Sequence, residues 1–187
     1  ARRDKHSAKR RIRRIIYSSL AGAVGLMIVL SLVLPSSLGN TSNKSSSYSR
    51  GQEVVIQGNE VVVKGQEHPD YNTHPPTSGW HYTVATSDLE WGKHEEQLDN
   101  ELQVAYLERG SVLIQHNCVD PCPDLIDLLG GITNRYPAGV VLAPYSGSES
   151  TIALTSWGWI DELENFDDSR IDDFIQLHIN KGPSQFN

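Results

Sequence analysis

Basic side chains are scarce over most of this sequence. Half of them, eight of sixteen Lys and Arg, fall within residues 1–14, where Asp4 is the single acid. The remaining chain holds eight basic and 22 acidic residues and stands at −14, although the whole carries −7. So acidic a surface argues against binding nucleic acid or anionic lipid by charge. It favours solubility and could attract cations. No internal repeat of solenoid period is present. No nucleophile, base and orienting group stand in a recognisable set, and Ser78 lacks the strand–turn–helix setting of a nucleophile elbow. Hydrolysis is therefore disfavoured.

Charge is absent altogether from residues 15–34, IIYSSLAGAVGLMIVLSLVL. At 1.5 Å per residue a helix of that length reaches about the thickness of a bilayer core. Basic residues precede it directly and the flank just after Pro35 has almost none. The positive-inside rule then predicts a cytoplasmic tail over 1–14 and a transmembrane helix over 15–35. A cleaved signal peptide is the alternative. Its apolar region is usually shorter, and LPSSLG at 34–39 is not a clean cleavage site. Either way the rest of the chain is expected outside the cytoplasm. The expected localisation is the cell membrane, single-pass. Residues 36–51, rich in Ser, Asn and Gly, read as a linker, and residues 52–187 as one extracytoplasmic domain.

Within that domain, residues 53–56 and 60–63 are β-branched runs around Gly58-Asn59, a hairpin signal. Residues 66–82, rich in Pro, His, Asn and Gly, suggest a loop. Residues 102–106 and 111–115 read as strands around Glu108-Arg109-Gly110. Pro123 opens a helix with a stripe of Leu125, Leu128, Leu129 and Ile132, ended by Gly130-Gly131 and Pro137. Residues 139–142 and 152–157 read as strands, with Trp157 and Trp159 on one face. Asp168 or Ser169 caps a last helix with a stripe of Ile171, Phe174, Ile175 and His178, stopped by Gly182-Pro183. The expected class is α+β: a mixed or antiparallel sheet with two packed helices, preceded by the transmembrane helix. A thioredoxin-like fold is the alternative, because strand, helix, strand, strand, helix is part of it.

Residues 75–82, PPTSGWHY, form a PPTSG-x-HY motif. On that motif the chain resembles the bacterial DUF3105 family, a domain of unknown function. The family pairs it with an HNLEHG-like turn, a tryptophan-containing strand and a final helix. The matching stretches here are AYLERG at 105–110, residues 152–158 and residues 168–179. The resemblance spans roughly 65–180. It implies a membrane-anchored or secreted domain and supplies no activity. The turn's two expected histidines are Ala105 and Arg109 here, so a metal site built on them is lost in this version. Glu108 and Gly110 persist.

Three groups could carry chemistry. Cys118 and Cys122, the two cysteines, sit in CVDPCP between a strand and a helix. Pro123 at the first helical position puts Cys122 near the cap, where free N–H groups favour a thiolate. A disulfide persists outside the cytoplasm. The C-x-x-x-C-P spacing resembles the copper motif of thioredoxin-like cytochrome-oxidase assembly factors. Two thiolates and His116 would suit a soft ion, copper or zinc. The plain alternative is a structural disulfide.

The second group is the loop motif, Pro75, Pro76, Thr77, Ser78, Gly79, His81 and Tyr82, within a set of histidines at 68, 74, 81 and 94. Its Pro-Pro and Gly are explicable as shape. His81 and Tyr82 could simply bond to backbone. The third is a binding cleft formed if His74, His81 and Glu108 converge. The leading functional expectation is a non-enzymatic binding or accessory module of a membrane complex. The alternative is a copper-binding or thiol–disulfide redox domain. The expected partners are the membrane, through residues 15–35, and a membrane protein, but no nucleic acid.

Overall fold

The computed structural model of the chain describes residues 51–118 and 120–184. The expected basic tail, transmembrane helix and nearly all of the linker lie outside the described residues. Among the described residues no helix is long and apolar enough to cross a membrane.

Six strands form one mixed sheet: β1 (Gln52–Glu53), β2 (Gly92–Lys93), β3 (Val112–His116), β4 (Val140–Pro144), β5 (Ile152–Ser156) and β6 (Trp159–Leu163). Their order across the sheet is β1-β6-β5-β3-β4-β2. β3 runs parallel to β4, and β4 to β2. β3 and β5, β5 and β6, and β6 and β1 are antiparallel. Three helices pack on it: α1 (Asn100–Glu108), α2 (Pro123–Thr133) and α3 (Asp168–His178). The class is α+β with a mixed sheet, as expected, but with a third helix.

Every residue of β3 and β5 is buried, because both faces of the sheet are covered. On one face Val112, Ile114, Val140, Leu142, Ile152 and Leu154 pack under Leu129 and Ile132 of α2 and Ile171, Phe174 and Ile175 of α3. On the other, Leu113, Val141 and Ala143 meet Tyr106 and Leu107 of α1 together with Leu89. The alternation within β3 therefore sends Val112, Ile114 and His116 towards the α2 side.

Several local expectations are corrected. Residues 102–106 are helical, not a strand. Gln103 through Glu108 are all buried, so the segment shows no clear polar face, and a short apolar run fits either period. Residues 53–63 form no hairpin. Gln52 and Glu53 pair instead with β6, and Val61 bridges His81 in parallel. α2 continues through Gly130-Gly131 to Thr133, and Leu128 points to solvent. Asp167 caps α3, its Oδ1 accepting from the Arg170 N–H at 3.1 Å. The α3 stripe of Ile171, Phe174, Ile175 and His178 is buried as expected. Trp157-Gly158 is the connection between β5 and β6, with Gly158 at φ +72°. Trp157 accordingly packs on the α1 side and Trp159 on the α3 side, not on one face.

Candidate functional site

β3 ends at His116, which is buried, its register partners being Pro144 of β4 and Ile152 of β5. The chain leaves the sheet through Asn117, whose N–H donates to the Thr151 carbonyl and whose side-chain amide donates to Ser148 O at 2.6 Å. These bonds fix the exit towards α2. Cys118 and Cys122 are disulfide-bonded, with Cα atoms 6.1 Å apart. Cys122 occupies the cap position of α2 and makes no side-chain cap hydrogen bond. Pro123 follows at the start of the helix, where its missing N–H costs nothing.

His116 Nδ1 lies 3.6 Å from Cys118 Sγ. One ligand atom from each of His116, Cys118 and Cys122 lies within 4.8 Å of the others. All three residues are partly or largely shielded from solvent. Burial lowers the His116 pKa below its usual value, and the nearby Lys93 ammonium lowers it further. A neutral imidazole beside two sulfurs is the donor set a soft cation takes once the disulfide is reduced. Among the described residues this is the one cluster of three or more His, Cys, Asp or Glu close enough to hold a metal ion.

The PPTSG-x-HY loop is a largely buried tie between neighbouring segments. Pro75 through Gly79 are buried, and the His74–Pro75 peptide is cis. Ser78 Oγ accepts from the Gln57 N–H at 3.0 Å, and Thr77 O accepts from the Gly158 N–H at 3.0 Å. Gly79 has φ +114°, and a Cβ there would come 3.4 Å from the Tyr71 ring, so this position favours glycine. Tyr71 Oη donates to Trp80 O at 2.6 Å. His81 N–H donates to Glu60 O and His81 O accepts from the Val62 N–H. The loop thus bolts residues 57–62 onto the β5–β6 turn.

The four histidines of the first half do not gather. His68 stacks on Trp80 at a centroid distance of 5.0 Å and faces Glu101. His94 donates to Glu90 O. His74 is exposed and borders a recess with Asn72, Val55 and Glu162. His81 and Glu108, by contrast, share one cleft of about 200 Å³, walled also by Asn59, Val61, Tyr82, Thr83, Val84, Ala105 and Arg109. Two of the three expected cleft residues therefore converge and His74 does not. Ala105 and Arg109, where the sequence departs from the expected turn, border this same cleft. The contribution of Asn59 and Val61 was hidden in the sequence by their resemblance to hairpin residues.

No curated protein and no solved structure matches the chain. The family model described as "Protein of unknown function (DUF3105)" matches residues 63–186, which takes in α1, the loop motif, the cysteine pair and α3. The chain belongs to that family.

Proposed function

We propose that the domain is a membrane-tethered, extracytoplasmic module whose reduced Cys118 and Cys122, with His116, hold a single Cu(I) ion. The observation that carries this reading is His116 Nδ1 at 3.6 Å from Cys118 Sγ, with the Cys122 sulfur held beside them by the disulfide that a thiol reductant would open. Two thiolates and an imidazole match the softness of Cu(I), which tolerates three ligands. The site's setting adds support. β3 is central and rigid, so His116 is fixed by the sheet, and Cys122 is fixed by the start of α2. The uncharged stretch at 15–34 with its basic flank supports the tether and the outward orientation. That tether would hold the domain beside membrane proteins, which supports an accessory role.

A second reading is a thiol–disulfide redox domain of thioredoxin-like type. It is favoured by one specific feature, the bond between Cys118 and Cys122. The run β3, α2, β4, β5, β6, α3, with the cysteine pair at the first strand-to-helix junction, also supports it.

The test uses the full chain in detergent, reduced under anaerobic conditions and titrated with Cu(I) against a chromogenic chelator. One ion per chain is expected, with capture lost in Cys118→Ser and in Cys122→Ser and weakened in His116→Ala. A reduced protein that leaves all the copper with the chelator overturns the metal reading. In that case a reversible dithiol–disulfide couple, titrated with glutathione buffers, would favour the second reading.

A further inference from the structure

We propose that the cleft between the PPTSG-x-HY loop and the end of α1 binds a small α-amino acid, its ammonium held by Glu108 and His81 and its carboxylate by Arg109. This site is separate from the thiol cluster and does not depend on it.

Two side chains of the cleft keep acceptor capacity to spare. The Glu108 side chain is only 9% exposed, and it pairs with Arg109 Nε at 3.3 Å. A carboxylate offers about four acceptor sites, and one long contact uses few of them. His81 is buried, and its Nδ1 meets Gly79 O at 3.2 Å. A carbonyl can only accept, so Nδ1 is the donor there, and in the neutral ring Nε2 is left as an acceptor. The cleft thus gathers a carboxylate and a ring nitrogen, both acceptors, with a guanidinium at the rim. Arg109 is 30% exposed and its Nη2 donates to Val84 O, which holds the group in place.

Charge balance then selects the ligand. A bare amine would bring a second cation to a carboxylate that Arg109 already neutralises. A bare carboxylate would bring a second anion beside Glu108. A zwitterion adds no net charge and extends the Glu108–Arg109 pair into an alternating set of four, so that each charge gains an opposite neighbour to set against its desolvation. A metal ion is the weaker occupant. His81 and Glu108 are two donors, whereas protein metal sites generally supply three or more, and the described residues place no third His, Cys, Asp or Glu with them. A volume of about 200 Å³ admits a ligand of few heavy atoms. Val61, Val84 and Ala105 supply apolar walls suited to a short side chain.

The experiment is isothermal titration of the full chain in detergent with L-alanine, N-acetyl-L-alanine and L-alaninamide. The latter two each lack one of the ligand's charges, so the comparison needs no variant. L-Alanine is expected to bind saturably at one per chain, and each analogue at least about tenfold more weakly, since a hydrogen bond to a charged group is worth that much or more. Glu108→Gln is expected to weaken L-alanine by a similar factor, while His74→Ala, in the other recess, leaves it unchanged. No saturable heat with L-alanine, or equal binding of all three compounds, overturns the proposal.

Discussion

Residues 51–99 and residues 112–178 are held in place by different means. The later segment contains four five-residue strands and two eleven-residue helices. The earlier one contains two strands of two residues and a three-residue 3₁₀ turn. The first half is nonetheless well fastened. Gln57 alone accepts from the Asn72 N–H, donates to Asp70 O and gives its own N–H to Ser78 Oγ. Asn72 in turn donates to Val55 O at 2.8 Å. Order here comes from side chains that substitute for ladder partners. Order in the second half comes from burying apolar surface on both sides of a sheet.

That contrast implies a gradient of mutational cost. The largest loss is expected for Phe174→Ala, because Phe174 is fully buried between α3 and the sheet. Urea denaturation should show a loss of about 3–5 kcal/mol. Next comes the disulfide. Cys118 and Cys122 close a very short loop, four residues apart in sequence. The chain-entropy relation for a loop so short gives about 2 kcal/mol lost on reduction. A much larger loss would mean that the cysteines hold the β3–α2 junction together, leaving little freedom for a metal to replace the bond. Third is Tyr71→Phe, which removes the 2.6 Å bond to Trp80 O and leaves the ring in place. A loss of about 1 kcal/mol is expected. If Tyr71→Phe proved as costly as Phe174→Ala, the distinction between the two halves would fail, and the loop would have to count as part of the main core.

The same contrast explains what could be read from the sequence. α3 was legible because Ile171, Phe174, Ile175 and His178 repeat at helical spacing and all of them are buried. β4 and β5 were legible as short β-branched runs between turn residues. α1 was not, since a nine-residue helix buried on most sides carries no polar stripe. The false hairpin at 53–63 has the reverse cause. Gly58-Asn59 is real turn chemistry, but Ser78 and His81 offer the flanking backbone better partners than the two runs offer each other. The approach of His116 to Cys118 is local, because residues two apart on an extended segment face the same way. Convergence of His81 with Glu108 is not local. It depends on how a loop without periodicity folds against α1, and no spacing rule encodes that.

The smallest expected effect is also the one that best separates the two halves, since it has opposite signs in each. His68, in the first half, has Nδ1 facing Pro69 O and Nε2 facing the Glu101 carboxylate, two acceptors that the protonated ring satisfies together. The backbone bond to Pro69 raises its pKa above the usual 6.5; burial opposes this, and the Glu101 carboxylate adds to the rise. A raised value means the folded state holds the proton more tightly. Its stabilisation is complete below 6.5 and fades as pH rises through the folded value. His116, in the second half, is shifted down by burial and by Lys93. There the unfolded chain takes up a proton near 6.5 that the folded chain refuses. Stability therefore falls as pH drops through 6.5 and levels off below the folded value. With the disulfide intact, urea midpoints across mildly acidic to mildly alkaline pH should show both slopes. His68→Gln should remove the alkaline-side loss and leave the acid-side loss. His116→Gln should do the reverse. Two variants with identical pH profiles would mean that neither imidazole feels the surroundings described for it.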